Sequence, residues 1–175
     1  MNLEMNFFRP IKRIFWKLSS INAHKKYPLN ESLIYFGVTG TDGKTTTSNF
    51  LYEIAKMHGY NPLLITTIGA KFKDKDIKLD IKSTSFAAYS IKTAFSSLLK
   101  FNLKRFIKNV AFSDFANFAK EAELHRTTPL ASEIRKTILE FEKKGADFFI
   151  LETTSHSIDQ YRIYGIEFNS IVITN

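Results

Sequence analysis

Apolar and polar residues follow one another along the chain in patterns that predict strands and helices in alternation. Strand-like apolar runs lie at 33–38, 63–68, 147–152 and 170–174. Helical spacing of apolar residues covers 5–20, 45–57 and 131–144. Near-continuous apolar strands are typical of parallel sheets that are buried on both faces. The pattern therefore predicts an α/β fold with a doubly wound, mostly parallel sheet and flanking helices.

The first strand, the helix after it and the second strand form a unit of about forty residues, which predicts a right-handed parallel crossover. The helix begins at Thr45 and is expected to end at Gly59, because glycine commonly follows the last helical turn. One side of this helix should face the sheet. The side chains expected there are Phe50, Leu51, Ile54, Ala55 and Met57.

Residues 1–30 form a separate N-terminal segment with a basic amphipathic helix at 5–20. Its apolar stripe consists of Phe7, Ile11, Ile14, Phe15 and Leu18, and the remaining arc carries Arg9, Lys12, Arg13 and Lys17. Such a helix can lie on an anionic membrane surface or dock through its stripe on the domain, and docking is the commoner arrangement. The apolar run is too short and too charged to span a bilayer or to act as a secretory signal.

Residues 71–124 are predicted to be an extended insertion in the domain that occupies 31–175. The alternation at 71–80, with Asp and Lys at its centre, predicts an exposed hairpin. Residues 85–122 are rich in Phe, Ala, Leu and Lys and predict one or two helices that cover the sheet or a partner.

The turn between the first strand and its helix has the composition of a phosphate-binding loop, or P-loop. Glycines can adopt positive φ there, so successive N–H groups can point at an anion. Lys44 would face the β- and γ-phosphates of a nucleotide, and the Thr45 hydroxyl would reach a magnesium ion. The residues expected to contact ATP are Gly40, Thr41, Asp42, Gly43, Lys44, Thr45 and Thr46.

The loop is a variant, because the strict motif has a further glycine where this chain has Val38. The alternative interpretation is a glycine-rich turn with an exposed lysine. The order of strand, turn, Gly-Lys-Thr and helix favours nucleotide binding.

The composition of the chain disfavours nucleic-acid binding and limits the kinds of metal site that it could form. The 175 residues carry a net charge of +8, with six Lys or Arg in residues 1–30 and ten in residues 71–109. No zinc-finger spacing, RNA-recognition motif or basic heptad region accompanies this charge, so we do not expect nucleic-acid binding. Cysteine is absent, so any metal must be held by oxygen or imidazole ligands.

Three stretches, at 37–47, 125–129 and 152–162, together resemble the central, ATP-binding domain of the Mur ligase family. They read Gly-Val-Thr-Gly-Thr-Asp-Gly-Lys-Thr-Thr-Thr, His-Arg-Thr-Thr-Pro and Glu-Thr-Thr-Ser-His-Ser-Ile-Asp-Gln-Tyr-Arg. The closing run 171–175 also fits the end of a strand in that family. The resemblance covers about 33–70 and 125–175, so the domain at 31–175 corresponds to an incomplete Mur ligase central domain.

The resemblance implies an ATP-dependent amide ligase of peptidoglycan precursor synthesis, which acts in the cytoplasm. The nearest members add an amino acid to UDP-MurNAc-L-Ala-D-Glu through an acyl-phosphate. By motif position Lys44 would neutralise the phosphates, and Thr45 and Glu152 would hold Mg²⁺, which makes Lys44 and Glu152 the candidate catalytic residues. The positions that match contacts to the UDP-MurNAc-peptide are Thr127, Thr128, Thr154, Gln160 and Arg162. Glu152 could instead cap the next helix, and His156 has no assigned role.

Several family features are not found in this sequence, so three hypotheses stay open. Full-length members have an N-terminal uridine-nucleotide domain, and after the position of Asn175 they continue to an Asp-His pair, a carbamoylated lysine and a C-terminal domain. The chain could be an incomplete ligase or one half of a split enzyme with a separately encoded C-terminal domain. It could also be a non-catalytic ATP-binding module. A P-loop kinase or GTPase is disfavoured because no Asn-Lys-x-Asp motif is present.

Overall fold

A computed structural model of the chain describes residues 3–66, 69–77 and 129–175. The helices are α1 (Leu3–Lys26), α2 (Lys44–Met57), α3 (Ala131–Glu142) and α4 (Ser155–Asp159). The strands are β1 (Ile34–Thr39), β2 (Pro62–Ile65), β3 (Ala70–Phe72), β4 (Lys75–Ile77), β5 (Phe148–Glu152) and β6 (Ser170–Ile173). The helices predicted within 85–122, together with Thr127 and Thr128, lie outside the described residues.

The strands form one sheet in the order β4-β3-β2-β5-β1-β6. β2, β5, β1 and β6 run parallel to one another, whereas β3 is antiparallel to β2 and β4 is antiparallel to β3. The predicted α/β fold with a mostly parallel sheet is therefore confirmed. β1 and β2 are parallel, as the crossover prediction requires, but β5 lies between them.

Side chains fill both faces of the sheet. All five residues of β5 are buried, which is what a near-continuous apolar strand predicts for a central position. One face, with Tyr35, Leu63 and Phe149, packs against Ile134 and Ile138 of α3. The opposite face packs against α2 through its own cluster of Val38, Tyr52, Ala55, Leu64, Phe148 and Ile150.

The predicted orientation of α2 is wrong for three of its side chains. Phe50, Ile54 and Met57 are 65%, 50% and 85% exposed, whereas Tyr52 and Ala55 are buried. The side facing the sheet follows the i, i+4, i+7 series that starts at Ser48, and two of its three members are polar in type. The Tyr52 hydroxyl is accommodated because it accepts a hydrogen bond from the Asp74 N–H. The hydrophobicity of its side chains alone therefore predicts the wrong side of α2 to face the sheet.

The predicted hairpin is present as β3 and β4, with Lys73 and Asp74 at positive φ in the turn. β3 is less exposed than predicted, because Ala70 and Phe72 are 5% and 6% exposed. The hairpin continues the sheet next to β2, and the buried side chains of β3 pack in the same cluster as Phe141 of α3, whose ring centroid lies 5.2 Å from that of Phe72.

Helix α1 packs on α3 and on the turn after α4 rather than standing free, and it is longer than predicted. Ser20 and Ala23 are buried, Arg13 pairs with Asp159 at 3.3 Å, and Lys17 lies over the Tyr161 ring. The predicted apolar stripe is not the docked side in the described part, because Ile14 and Leu18 are 61% and 42% exposed. No helix in the described ranges combines the length and apolar content needed to cross a membrane.

Arg135 of α3 joins three parts of the fold by main-chain contacts. Its guanidinium donates to Tyr27 O at 3.0 Å, Tyr164 O at 2.8 Å and Gly165 O at 2.7 Å, and the side chain is 1% exposed. Burial lowers the pKa of Arg135, and the neighbouring Tyr35 opposes that shift. The planar fork of arginine suits three fixed acceptors.

We predict that Arg135→Lys lowers the free energy of unfolding by about 2–4 kcal/mol, because the single nitrogen of lysine cannot reach carbonyls that two separate guanidinium nitrogens contact. Arg13→Lys is the matched control, since the Arg13–Asp159 pair is exposed and should contribute less than about 1 kcal/mol. Urea unfolding followed by circular dichroism measures both variants. Equal urea midpoints for Arg135→Lys and the unmodified chain would contradict a stabilising role for the three Arg135 hydrogen bonds.

Candidate functional site

The glycine-rich loop lies at the edge of the sheet where the carboxyl ends of β1, β5 and β6 meet. Gly40 and Gly43 have φ of +138° and +75°, conformations that favour glycine. A Cβ at Gly40 would also lie 2.5 Å from the Thr174 main-chain oxygen. These two glycines therefore fulfil the conformational role that the sequence predicts for them.

Helix α2 begins directly after this loop, and its N-terminus has no side-chain cap. Gly43 is the N-cap residue, and the first turn contains no acidic residue. The N–H groups of Lys44, Thr45 and Thr46 belong to this first turn, where a helix offers no carbonyl acceptors. Free N–H groups and the helix dipole together favour an anion such as phosphate.

The Lys44 side chain folds back over the loop. Its Nζ donates to Gly40 O at 2.8 Å and to Thr41 O at 2.6 Å. The ammonium is therefore already at the loop, beside the first turn of α2. A nucleotide phosphate at that helix end would lie within the field of this charge.

Thr45 and Glu152 form the second part of the site. The Thr45 hydroxyl donates to Glu152 Oε2 at 3.1 Å, and Glu152, the last residue of β5, is 5% exposed. Pairing of Val38 with Glu152 in the sheet brings this carboxylate beside the start of the loop. These are the two residues that the family resemblance predicts as ligands of one magnesium ion.

This donor set fits a magnesium ion that is held mainly by phosphate and water. Hard oxygen donors suit Mg²⁺, which usually keeps several waters and uses one or two protein carboxylates together with substrate phosphates. Within the described ranges, no group of three or more His, Asp or Glu side chains could hold a metal by itself. Thr45 and Glu152 would thus supply part of the coordination and a nucleotide the rest.

The alternative role for Glu152, capping the next helix, is filled by another residue. Thr154 is the N-cap of α4, where its Oγ1 accepts from the Ser157 N–H at 3.2 Å. The Ser157 hydroxyl in turn accepts from the Thr154 N–H at 2.9 Å. Glu152 is left to contact Thr45 across the gap between β5 and α2.

The residues predicted to bind the UDP-MurNAc-peptide are only partly brought together. Gln160 and Arg162 bond to each other, with Arg162 Nε donating to Gln160 Oε1 at 2.8 Å, just beyond α4. Thr154 lies at the start of the same short helix. His156 is exposed, and its main-chain oxygen accepts from the Gln160 N–H at 2.9 Å. Thr127 and Thr128 lie outside the described residues.

Thr174 and Asn175, for which the sequence predicts no role, both contact the loop. The Thr41 and Asp42 N–H groups donate to Asn175 O at 2.7 and 2.8 Å, and the Thr174 hydroxyl lies 2.5 Å from Asp42 O. The available signal was two polar residues directly after an apolar strand at the ligand edge of the sheet.

Comparison with known proteins identifies what the chain resembles. A family model described as the Mur ligase middle domain matches residues 38–175. The chain is 25% identical over 165 residues to UDP-N-acetylmuramoyl-L-alanyl-D-glutamate--2,6-diaminopimelate ligase of Bacillus cereus, covering 94% of this chain and 24% of that protein. The protein of the same name from Wolinella succinogenes is 29% identical over 147 residues, covering 84% of this chain and 24% of the relative.

A solved structure of a UDP-N-acetylmuramoyl-L-alanyl-D-glutamate--2,6-diaminopimelate ligase has the same fold. It superposes with a TM-score of 0.54 at 19% identity, covering 87% of this chain and 22% of the other. This likeness concerns the fold alone. The chain spans only about a quarter of the length of the relatives that it matches.

We predict that Glu152→Gln leaves thermal stability without ligand unchanged or slightly higher and removes the stabilisation by Mg²⁺ with nucleotide. The amide can still accept the Thr45 hydrogen bond, but it lacks the charge that a hard dication prefers. Thermal unfolding with and without Mg-ATP measures both effects.

Glu133→Gln is the matched control for that experiment. The Glu133 carboxylate accepts from the Leu130 N–H at 2.7 Å at the start of α3, away from the loop. This variant keeps the acceptor oxygen and loses only the charge at the helix start, so it should lose about 0.3–1 kcal/mol of stability and keep the full response to Mg-ATP. If Mg-ATP stabilised Glu152→Gln as much as the unmodified chain, Glu152 would not be a magnesium ligand.

Proposed function

We propose that this chain, which belongs to the Mur ligase middle domain family, binds Mg-ATP at the 40–46 loop as part of an amide ligase of peptidoglycan precursor synthesis. One observation carries the proposal. The uncapped start of α2, the Lys44 ammonium and the Thr45–Glu152 pair at 3.1 Å all meet at one edge of the sheet. That combination of amides, one cation and hard oxygen donors matches a triphosphate with its magnesium ion.

Each residue has a distinct task in such a transfer. The first-turn amides of α2 and Lys44 would hold the β- and γ-phosphates and offset the charge that develops on them. Thr45 and Glu152 would hold Mg²⁺, which when bound polarises the phosphoryl oxygens. A substrate carboxylate would attack the γ-phosphorus, giving an acyl-phosphate and ADP. An amine would then displace phosphate and lose a proton to complete the amide.

The proposed substrates follow from the family and from the names of the relatives. They are UDP-MurNAc-L-Ala-D-Glu as the acid and, first among the candidate amino acids, 2,6-diaminopimelate. Thr154, Gln160 and Arg162 lie around the short helix that follows Glu152, which supports a role on the acid substrate. Thr127 and Thr128 stay in the proposal by motif position. Such a reaction would take place in the cytoplasm.

A second candidate is a non-catalytic ATP-binding module or one half of a split ligase. The observation in its favour is that the groups brought together at the loop, which are the first-turn amides of α2, Lys44 and the Thr45–Glu152 pair, serve ATP and magnesium. In the split form, a separately encoded C-terminal domain would complete the site. ATP binding is common to both candidates, whereas amide formation by this chain is not.

We predict that Lys44→Ala weakens Mg-ATP binding by about 2–4 kcal/mol, since it removes a cation that faces two phosphates. Lys56→Ala is the matched control on the same helix, where Lys56 pairs with the exposed Asp74 at 2.7 Å. Titration calorimetry of both variants gives the comparison. No binding by the unmodified chain at millimolar Mg-ATP, or equal affinity for the two variants, would defeat the proposal.

The ligase and the module are separated by product formation. The chain is incubated with Mg-ATP, UDP-MurNAc-L-Ala-D-Glu and 2,6-diaminopimelate, with and without the C-terminal portion of a relative, and ADP and the amide product are measured. Substrate-dependent ADP release supports the ligase. ATP binding without ADP release in either mixture supports the module.

A further inference from the structure

We propose that Thr174 and Asn175 are positioning residues that hold the nucleotide-free loop in its binding shape, leaving the first-turn amides of α2 for the ligand. This inference rests on the proposed function, in that the ligand is taken to be a nucleotide phosphate. It adds two residues outside the loop, which the sequence matches to the end of a family strand without giving them a role. The evidence is the pattern of hydrogen bonds around 39–42.

The main-chain oxygen of Asn175 accepts hydrogen bonds from two loop amides. The Thr41 N–H donates to Asn175 O at 2.7 Å and the Asp42 N–H donates to the same oxygen at 2.8 Å. In an anion-binding loop such amides could otherwise turn toward a phosphate. Here they point at β6, so they are engaged before any ligand arrives.

Thr174 donates hydrogen bonds to carbonyl oxygens of the same loop. Its N–H donates to Thr39 O at 2.8 Å. Its hydroxyl lies 2.5 Å from Asp42 O and 3.1 Å from Thr39 O. A hydroxyl has one proton, so it donates to one of these oxygens at a time, and the shorter distance favours Asp42 O.

The two carbonyls between Thr39 and Asp42 are those of Gly40 and Thr41, and both accept hydrogen bonds from the Lys44 Nζ. Every main-chain oxygen from Thr39 to Asp42 and both amides at 41 and 42 thus have partners within the protein. The first turn of α2, from Lys44 to Thr46, has no side-chain cap. The geometry therefore divides the loop into a fixed half and a half that is left for the ligand.

Close packing at Gly40 supports the same division. A Cβ there would meet the Thr174 carbonyl carbon at 2.8 Å, so the loop main chain lies directly on the end of β6. A loop that is already ordered loses less conformational entropy when it binds, which strengthens binding without any new contact to the ligand. Thr174 and Asn175 would act in this way, through the loop and not on the nucleotide.

Amide hydrogen exchange on the unmodified chain tests the division directly by NMR. Without nucleotide, the Thr41 and Asp42 amides should exchange at least about tenfold more slowly than those of Lys44, Thr45 and Thr46. Mg-ATP should then protect the amides at 44–46 and leave the other two nearly unchanged. Equal exchange of the two groups in the nucleotide-free protein would overturn the inference.

Variants at Thr174 test whether the hydroxyl matters for binding. Thr174→Val keeps the shape of the side chain but loses the hydrogen bond to Asp42 O, which should loosen the loop. The Asp42 amide hydrogen should then exchange faster, and the Kd for Mg-ATP should rise roughly five- to tenfold. Thr174→Ser keeps the donor and should restore both values. Ser32→Ala is the control, because its hydroxyl bonds Asn30 Oδ1 at 2.7 Å before β1, at the opposite end of that strand from the loop, and its Kd should equal that of the unmodified chain.

The outcomes separate this inference from the proposed function. If the unmodified chain does not bind Mg-ATP, the proposed function fails, while the nucleotide-free exchange pattern still decides whether the loop is held. If Thr174→Val does not fold, the exchange pattern of the unmodified chain decides. Binding by Thr174→Val that equals the unmodified chain, with unchanged exchange at Asp42, would refute the role of Thr174.

Discussion

The parallel pairing of β1 with β5 on one side and β6 on the other is the constraint on which the site depends. The register sets Val38 opposite Glu152 and Thr39 opposite Ile173, so three strand ends reach the same edge together. Because side chains alternate between faces, a shift of one residue in β5 would turn the Glu152 carboxylate away from Thr45. The loop supplies the chemistry, but the sheet determines which residues meet it.

Much of this arrangement could be predicted from the sequence because its signals are local. The apolar strands, the Gly-Lys-Thr turn and the carboxylate at the end of β5 each depend on a few adjacent residues. The orientation of α2 could not be predicted in the same way. Its apolar residues lie on both sides of the helix, and the loop geometry decides which side faces the sheet, so Tyr52 is buried while Phe50 and Ile54 are exposed.

Contacts made by the main chain are a second kind of information that the sequence does not display. Asn175 acts through its main-chain oxygen, and Arg135 binds three carbonyls without any acidic partner among its hydrogen bonds. Carbonyl acceptors are present at every residue, so no residue type identifies the ones that are used. Gly40, where a side chain would collide with Thr174, does leave a trace of such a contact in the sequence.

Two departures from ordinary stabilising features lie at the proposed site. The starts of α3 and α4 have side-chain partners, Glu133 and Thr154, whereas α2 has no cap. Glu152 is a buried carboxylate whose hydrogen-bond donor is a neutral hydroxyl. An anion at α2 would complete the helix end, and a dication at Glu152 would offset the buried charge. A bound Mg-triphosphate meets both requirements at once, because it brings the two charges at adjoining positions.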